Sequence, residues 1–185
     1  GADLSFVDHS VKPAMHLPVT DLELELKRFS TRTLTNPEPF RFRVALYGGD
    51  VQLPKRQVSG SLLGGIIGSV GSLLDSEDDK PMEARPVFDE ILLRGNMSLG
   101  PQPNGWTQLR VRALELPTFA GPALESGIDI GDGLLNETAM LHFDGEGGVR
   151  ISSQTNISYL SLSEPADGPI SSYLKLPAPI DTVLF

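Results

Sequence analysis

The sequence contains no cysteine, which excludes disulfides, thiolate catalysis and cysteine-ligated metals. The same absence leaves the redox compartment open, because a chain without thiols tolerates cytoplasm and periplasm equally. Basic residues are also scarce: 15 Lys and Arg stand against 24 Asp and Glu, for a net charge of −9. No surplus of positive charge is available to displace counterions from phosphate, so a nucleic-acid partner is not expected. Imidazole is confined to His9, His16 and His142, and none of them sits in a His-Glu-x-x-His or paired-carboxylate spacing. Neither a metal site nor a cofactor is expected.

Other chemical motifs fail at particular residues. Ser69 lies in Gly68-Ser69-Val70-Gly71, but Ile67 occupies the position where a hydrolase elbow needs glycine. Asp129, Asp132, Asn136 and Glu137 cluster around Gly131 and Gly133 without the alternating ligand spacing of a calcium loop, and read as a turn. No phosphate-cradling glycine loop occurs in the right setting. Asn96, Asn136 and Asn156 head Asn-x-Ser/Thr sequons, a short pattern that carries little weight and would mean nothing in a bacterial chain. The single tryptophan, Trp106, directly follows a turn and reads as a strand-end packing residue rather than a ligand platform.

What is present is β patterning. The 185 residues are long enough to bury a core; 39% are hydrophobic and mean hydropathy is −0.07. Glycine (19) and proline (15) favour a turn-rich architecture over a helical one. Leu22, Leu24 and Leu26 alternate with Glu23, Glu25 and Lys27, giving a strand over 21–29 with one wet face. Phe40, Phe42, Val44 and Leu46 repeat the pattern against Arg41 and Arg43, and Gly48-Gly49-Asp50 reads as a turn sending the chain back into Val51 and Leu53. Glu23 or Glu25 is then expected to pair with Arg41 or Arg43. Further strands are read at 2–7, 87–99 and 106–116, with 9–18 and 117–127 as connections. The longest feature is 133–162, two arms of about ten residues, each roughly 33 Å, joined by Asp144-Gly145-Glu146-Gly147-Gly148. Its second arm has a polar middle, Ser152 to Asn156, which suggests an edge or a bend. The expected fold is mainly β: a single domain of long antiparallel strands and hairpins in a curved, groove-like or sandwich sheet, with two or three short helices.

Residues 57–81 differ in kind. From Gln57 to Leu74 there is no charge, and Leu62, Leu63, Ile66, Ile67, Val70, Leu73 and Leu74 fall at helical spacing with Gly and Ser opposite. The stretch reads as a helical insertion lying over the sheet or as a flap touching lipid or a partner; the acidic linker Asp75–Asp79 follows. It is too rich in Gly and Ser for a membrane span. Gly1 to Phe6 shows no signal-peptide pattern, and strand patterns are under way at both ends, so a fragment of a longer protein is expected, with any anchor outside it.

Two stretches carry a family resemblance. Leu4–Thr31, with Phe6-Val7-Asp8-His9-Ser10 leading through Lys12-Pro13 into Asp21-Leu22, resembles a segment of bacterial AsmA-like proteins. Trp106–Pro165 resembles the same family's order of strand, Leu-Pro loop, Ala/Gly-rich connection, Gly-x-Leu strand, hairpin and Leu-x-Leu strand, and Leu174–Phe185 is similar to the run that follows. Together they cover about half the chain; 57–81 has no counterpart. The resemblance, to the periplasmic branch of unknown-function domains among bridge-like lipid-transfer relatives, implies a Gram-negative envelope protein tethered to the inner membrane. It implies an open groove with an apolar floor, phospholipid transport or outer-membrane assembly as the role, and no catalytic residues. The expected floor is Leu22, Leu24, Leu26, Phe40, Phe42, Val44, Leu109, Val111, Leu141 and Ile157, and the expected partner is a phospholipid or other acyl-chain lipid. The alternative is that these residues form the closed core of a β-sandwich interaction module from a surface or secreted protein.

Overall fold

Period-two patterning becomes nine strands among the residues that the computed structural model describes, 3–56, 81–165 and 168–175. They are β1 (Leu4–Asp8), β2 (Met15–Lys27), β3 (Phe40–Gly48), β4 (Asp50–Pro54), β5 (Met82–Pro86), β6 (Glu90–Ser98), β7 (Asn104–Glu115), β8 (Asp129–Asp144) and β9 (Val149–Ser163). Seven form one antiparallel sheet in the order β1-β2-β3-β6-β7-β8-β9, and β4 pairs with β5 in a separate ribbon. The fold is mainly β, as the alternation requires. β9 is an edge strand, in keeping with its polar middle.

Three local expectations are corrected. Gly48-Gly49-Asp50 does not reverse the chain: β3 runs on through it into β4, and the partner of β4 is β5 rather than β3. The strand expected over 87–99 runs from Glu90 to Ser98 as β6, and an additional strand, β5, precedes it and ends at Pro86. The two pairs β3–β6 and β4–β5 are therefore one long hairpin bent in the middle. At the bend Gly48 N–H donates to Phe88 O at 3.1 Å and Val87 N–H to Gly49 O at 2.9 Å. Val87 and Phe88 at the bend, and Leu53 in β4, are buried. A Cβ on Gly48 would lie 2.4 Å from Phe88 O and 2.7 Å from its N, so only glycine permits this approach.

The third correction concerns bulges. The connection expected over 9–18 is a strand from Met15, and its apolar positions switch parity: Leu17 and Val19 are odd, Leu22, Leu24 and Leu26 even. A bulge between Val19 and Asp21 absorbs the switch, so both halves face the same side. In β7 a bulge between Val111 and Leu114 does the same. Ala113 adopts φ 51° there and donates its N–H to Asn136 Oδ1 at 3.0 Å. Gly131 and Gly133, read as a turn, lie within β8, again at register shifts.

The helices are short. A 3-10 turn, Leu116–Phe119, runs into α1 (Ala120–Glu125), and this segment touches both β2 and β8 across one end of the sheet. Gly121 packs so closely on the β1–β2 connection that a Cβ would sit 2.0 Å from Pro13 O. Another 3-10 turn spans Thr31–Leu34, and α2 spans Pro169–Leu174. Two carboxylates secure the far elements. Asp144 accepts the N–H groups of Glu146 (2.8 Å) and Gly148 (2.9 Å) in the β8–β9 turn, and these bonds lower its pKa. Glu164 accepts Ile170 N–H (2.9 Å) and Ser171 N–H (2.7 Å) at the start of α2; burial raises its pKa, but these bonds and that of the Ser171 hydroxyl leave it lowered.

Two outcomes follow. Gly48→Ala lowers stability by about 1–3 kcal/mol in chemical denaturation, because the obstructing atoms are backbone and cannot swing away. Both lowered carboxylates bind protons less tightly folded than unfolded, so their stabilisation is present above the ordinary carboxylate range and is lost as pH falls through their depressed values. A thermal-melting series in acid therefore shows a declining Tm, and Asp144→Ala flattens part of that decline.

Candidate functional site

In an antiparallel sheet directly opposed residues share a face, so the register alone sorts the side chains. Leu24, Val44, Leu93, Leu109, Ala139 and Ser153 form one continuous row across six strands. The row beside it is Leu22, Leu46, Ile91, Val111, Glu137 and Thr155; on the other side lie Leu26, Phe42, Gly95, Thr107, Leu141 and Ile151. Leu4 and Phe6 extend the same face through their partners Val19 and Leu17. From β2 to β9 the face is five interstrand steps wide, roughly 24 Å.

This face is apolar and largely uncovered. Leu24 is 67% exposed and Ile151 67%, and Leu4, Phe6, Leu22, Leu26, Leu93, Val149 and Ile157 are also exposed. The other sheet among the described residues is the two-stranded β4–β5 ribbon. Towards β9 it turns polar: Glu137 accepts a hydrogen bond from the Thr155 hydroxyl, and Ser153 stands beside Thr155. Of the ten expected floor residues, Leu22, Leu24, Leu26, Phe42, Val44, Leu109, Val111, Leu141 and Ile157 share this face. Phe40 shares its parity but is only 7% exposed, because Phe29 (5.5 Å between ring centroids, edge-on) and Phe42 (5.8 Å) enclose it at the end of the row. Ile91 and Leu93 belong to the floor and were not expected; Leu92 between them masks the alternation. The expected flap residues Leu62, Leu63, Ile66, Ile67, Val70, Leu73 and Leu74, and Ser69 with them, lie outside the described residues.

The opposite face is polar and ion-paired. Arg43 pairs with Glu23, as the alternation suggested, and reaches Glu90 at 3.7 Å, while Arg110 binds Glu90 at 2.7 Å. These side chains converge on Glu90 around Ala45 and Leu92, which are fully or nearly buried. Lys27, Arg41, Asn96, Trp106, His142 and Arg150 form a register row on this side, with a depression of about 430 Å³ beside Trp106 and Arg94. Among the described residues no group of three or more His, Asp or Glu side chains could hold a metal ion. His16 Nε2 and Ser5 Oγ share a 2.8 Å hydrogen bond on the exposed surface. Asp129, Asp132, Asn136 and Glu137 do not converge: Asp132 binds Arg56, Asn136 braces the Ala113 bulge, and Glu137 meets Thr155.

One end of the sheet is held by a charged cluster that no local pattern announces, because its members come from four elements. Arg56 contacts Glu115 at 2.5 Å and Asp132 at 3.2 Å and lies 5.2 Å over the Tyr159 ring, while Arg85 stands 3.7 Å from Glu115. Burial raises the Glu115 carboxyl, and Arg56 and Arg85 only partly offset it. The folded state then holds that proton more tightly than the unfolded state, so the contribution of Glu115 declines as pH rises above the ordinary value of 4.5. Glu115→Ala leaves Arg56 and Arg85 without their shared counter-charge and costs about 3 kcal/mol in urea denaturation at neutral pH.

In comparisons with known proteins, no family model, curated protein or solved structure matches this chain.

Proposed function

We propose that this chain is a non-enzymatic lipid-handling segment whose apolar sheet face accepts the acyl chains of a phospholipid or similar lipid. We place it, on the ordered resemblance of its two segments, in the periplasmic part of an AsmA-like envelope protein, tethered to the inner membrane through sequence outside this chain and engaged in lipid transport between membranes or in outer-membrane assembly. The observation that carries the reading is the uncovered face: Leu22, Leu24, Leu26, Leu93 and Ile151 stand exposed on one side of a sheet whose other side is ion-paired. Contiguous exposed apolar surface rimmed by polar groups marks an interaction site. The surface is long, one-sided and without convergent donors, which suits a methylene chain rather than a polar small molecule. Each methylene moved from water onto it is worth about 0.8 kcal/mol, so a few contacts suffice for retention and few enough can be broken at a time for sliding.

Protein expressed in a Gram-negative bacterium and purified without detergent retains phospholipid detectable by mass spectrometry after extraction. Leu24→Glu and Val44→Glu, each shown folded by circular dichroism, lose at least about 80% of it, since one charge in the middle row offsets several methylene contacts. Arg41→Glu on the opposite face leaves the lipid content unchanged. Absence of lipid from the unaltered protein, or equal loss on both faces, overturns the reading.

A further inference from the structure

Before the irregularity at Tyr159, the outer edge of β9 has few of the devices by which sheets protect their edges. It is 15 residues long, contains no proline and a single charged residue, Arg150, and has no strand on its outer side among the described residues. Val149, Ile151, Ile157 and Tyr159 are exposed along it. By contrast, the other edge strand, β1, is five residues long and ends in Asp8.

The composition of β9 is symmetric about Gln154. Moving outward, Ser153 corresponds to Thr155, Ser152 to Asn156, Ile151 to Ile157, Arg150 to Ser158 and Val149 to Tyr159. Tyr159 adopts φ 58°, so regular extension ends there and the matched core runs from Arg150 to Ser158. Two such strands laid antiparallel about a two-fold axis through Gln154 oppose each of these pairs. Ile151 then meets Ile157 of the second copy twice over, the hydroxyl and amide residues fill the centre, and Arg150 faces Ser158 rather than a like charge.

We propose that β9 is a self-pairing edge through which two copies of this chain join in one continuous antiparallel sheet. A second copy is the occupant the residues favour, because an isologous contact requires that residue i meet j while j meets i, which this sequence satisfies position by position. The uncharged stretch from Ile151 to Ser163 also lets two chains of net charge −9 meet without opposing acids. A two-fold axis perpendicular to the sheet keeps each face on its own side, so the apolar face of one copy continues into that of the other. The inference rests on the edge alone and stands independently of lipid binding.

Because the chain has no cysteine, a single introduced thiol reports the register directly. At the self-opposed position the two Cα atoms come about 4.5–5.5 Å apart, within the span a disulfide bridges. Gln154→Cys in the full 185-residue chain is expected to form a covalent dimer under mild oxidation at least about tenfold faster than Ser152→Cys or Asn156→Cys alone, whose thiols sit about 14 Å from their own images. A mixture of the Ser152→Cys and Asn156→Cys chains cross-links as heterodimer. Sedimentation of the unaltered chain gives twice 19.9 kDa, and Ile151→Lys, folded by circular dichroism, sediments at 19.9 kDa. A monomeric unaltered chain, open polymers, or equal cross-linking rates at 152, 154 and 156 overturns the proposal.

Discussion

One parity rule governs this molecule: across seven strands, most of the large aliphatic positions fall on the same side of the sheet. Side chains alternate with period two, so a slip of one residue in any pairing would carry a whole strand's leucines to the ion-paired face. The register keeps Leu24, Val44, Leu93 and Leu109 in one line over four strands. Where the sequence itself breaks parity, the backbone compensates. Val19 and Leu22 differ by an odd number, as do Val111 and Leu114, and a bulge stands at each of these places. The bulge at Ala113 is held by the Asn136 side chain, so a polar residue on β8 sustains the apolar continuity of β7.

Among the described residues, that continuity produces a surface left exposed to water. A sandwich would use the same alternation to bury Leu22, Leu24 and Leu26 against a second sheet, yet these are among the exposed residues. Stability is supplied elsewhere. Val87 and Phe88 are buried at the hairpin bend and Leu53 beyond it, Phe29, Phe40 and Phe42 close one end of the sheet, and Arg56, Arg85, Glu115 and Asp132 tie down another part with charge. On the polar face the long side chains of Arg43 and Arg110 shelter Ala45 and Leu92 while their charged heads meet Glu90. The described part of the molecule is thus braced at its ends and on one side, and the other side carries the exposed leucines.

Strands that satisfy the parity rule without a bulge were legible in the sequence. Leu22–Leu26 and Phe40–Leu46 read correctly because neighbours of opposite polarity mark each position, and the nine floor residues that share the face follow from the same signal. The first half of β2 was not legible, because Pro18 and the parity switch at Thr20 imitate a connection. Gly48-Gly49-Asp50 has the local chemistry of a reversal; what makes it a bend is the close approach of Phe88, forty residues away in sequence, which no local reading contains. β5, Met82-Glu83-Ala84-Arg85-Pro86, follows Pro81 and ends on a proline; it has no large aliphatic residue at alternate positions, and it pairs with β4. In β6, Leu92 fills the polar slot of an alternating strand because Arg43 and Arg110 cover it, and this hid Ile91 and Leu93 from the floor.

An open sheet carries two liabilities, an uncovered apolar face and unpaired edges, and here they are treated differently. The face is one-sided, broad and polar only towards β9, where Glu137 and Thr155 interrupt it. The β1 edge is short, whereas the β9 edge is long, nearly uncharged and symmetric about Gln154. A sheet closed on itself would need neither feature, and an aggregating one would not alternate Ile151 and Ile157 with a polar centre matched to its own reverse. Extension through β9 prolongs the face without altering its polarity, since opposed residues of the two copies share a side. The parity rule that aligns seven strands in one chain would then govern both copies, with the hydroxyl-rich middle of β9 as the seam between two apolar floors.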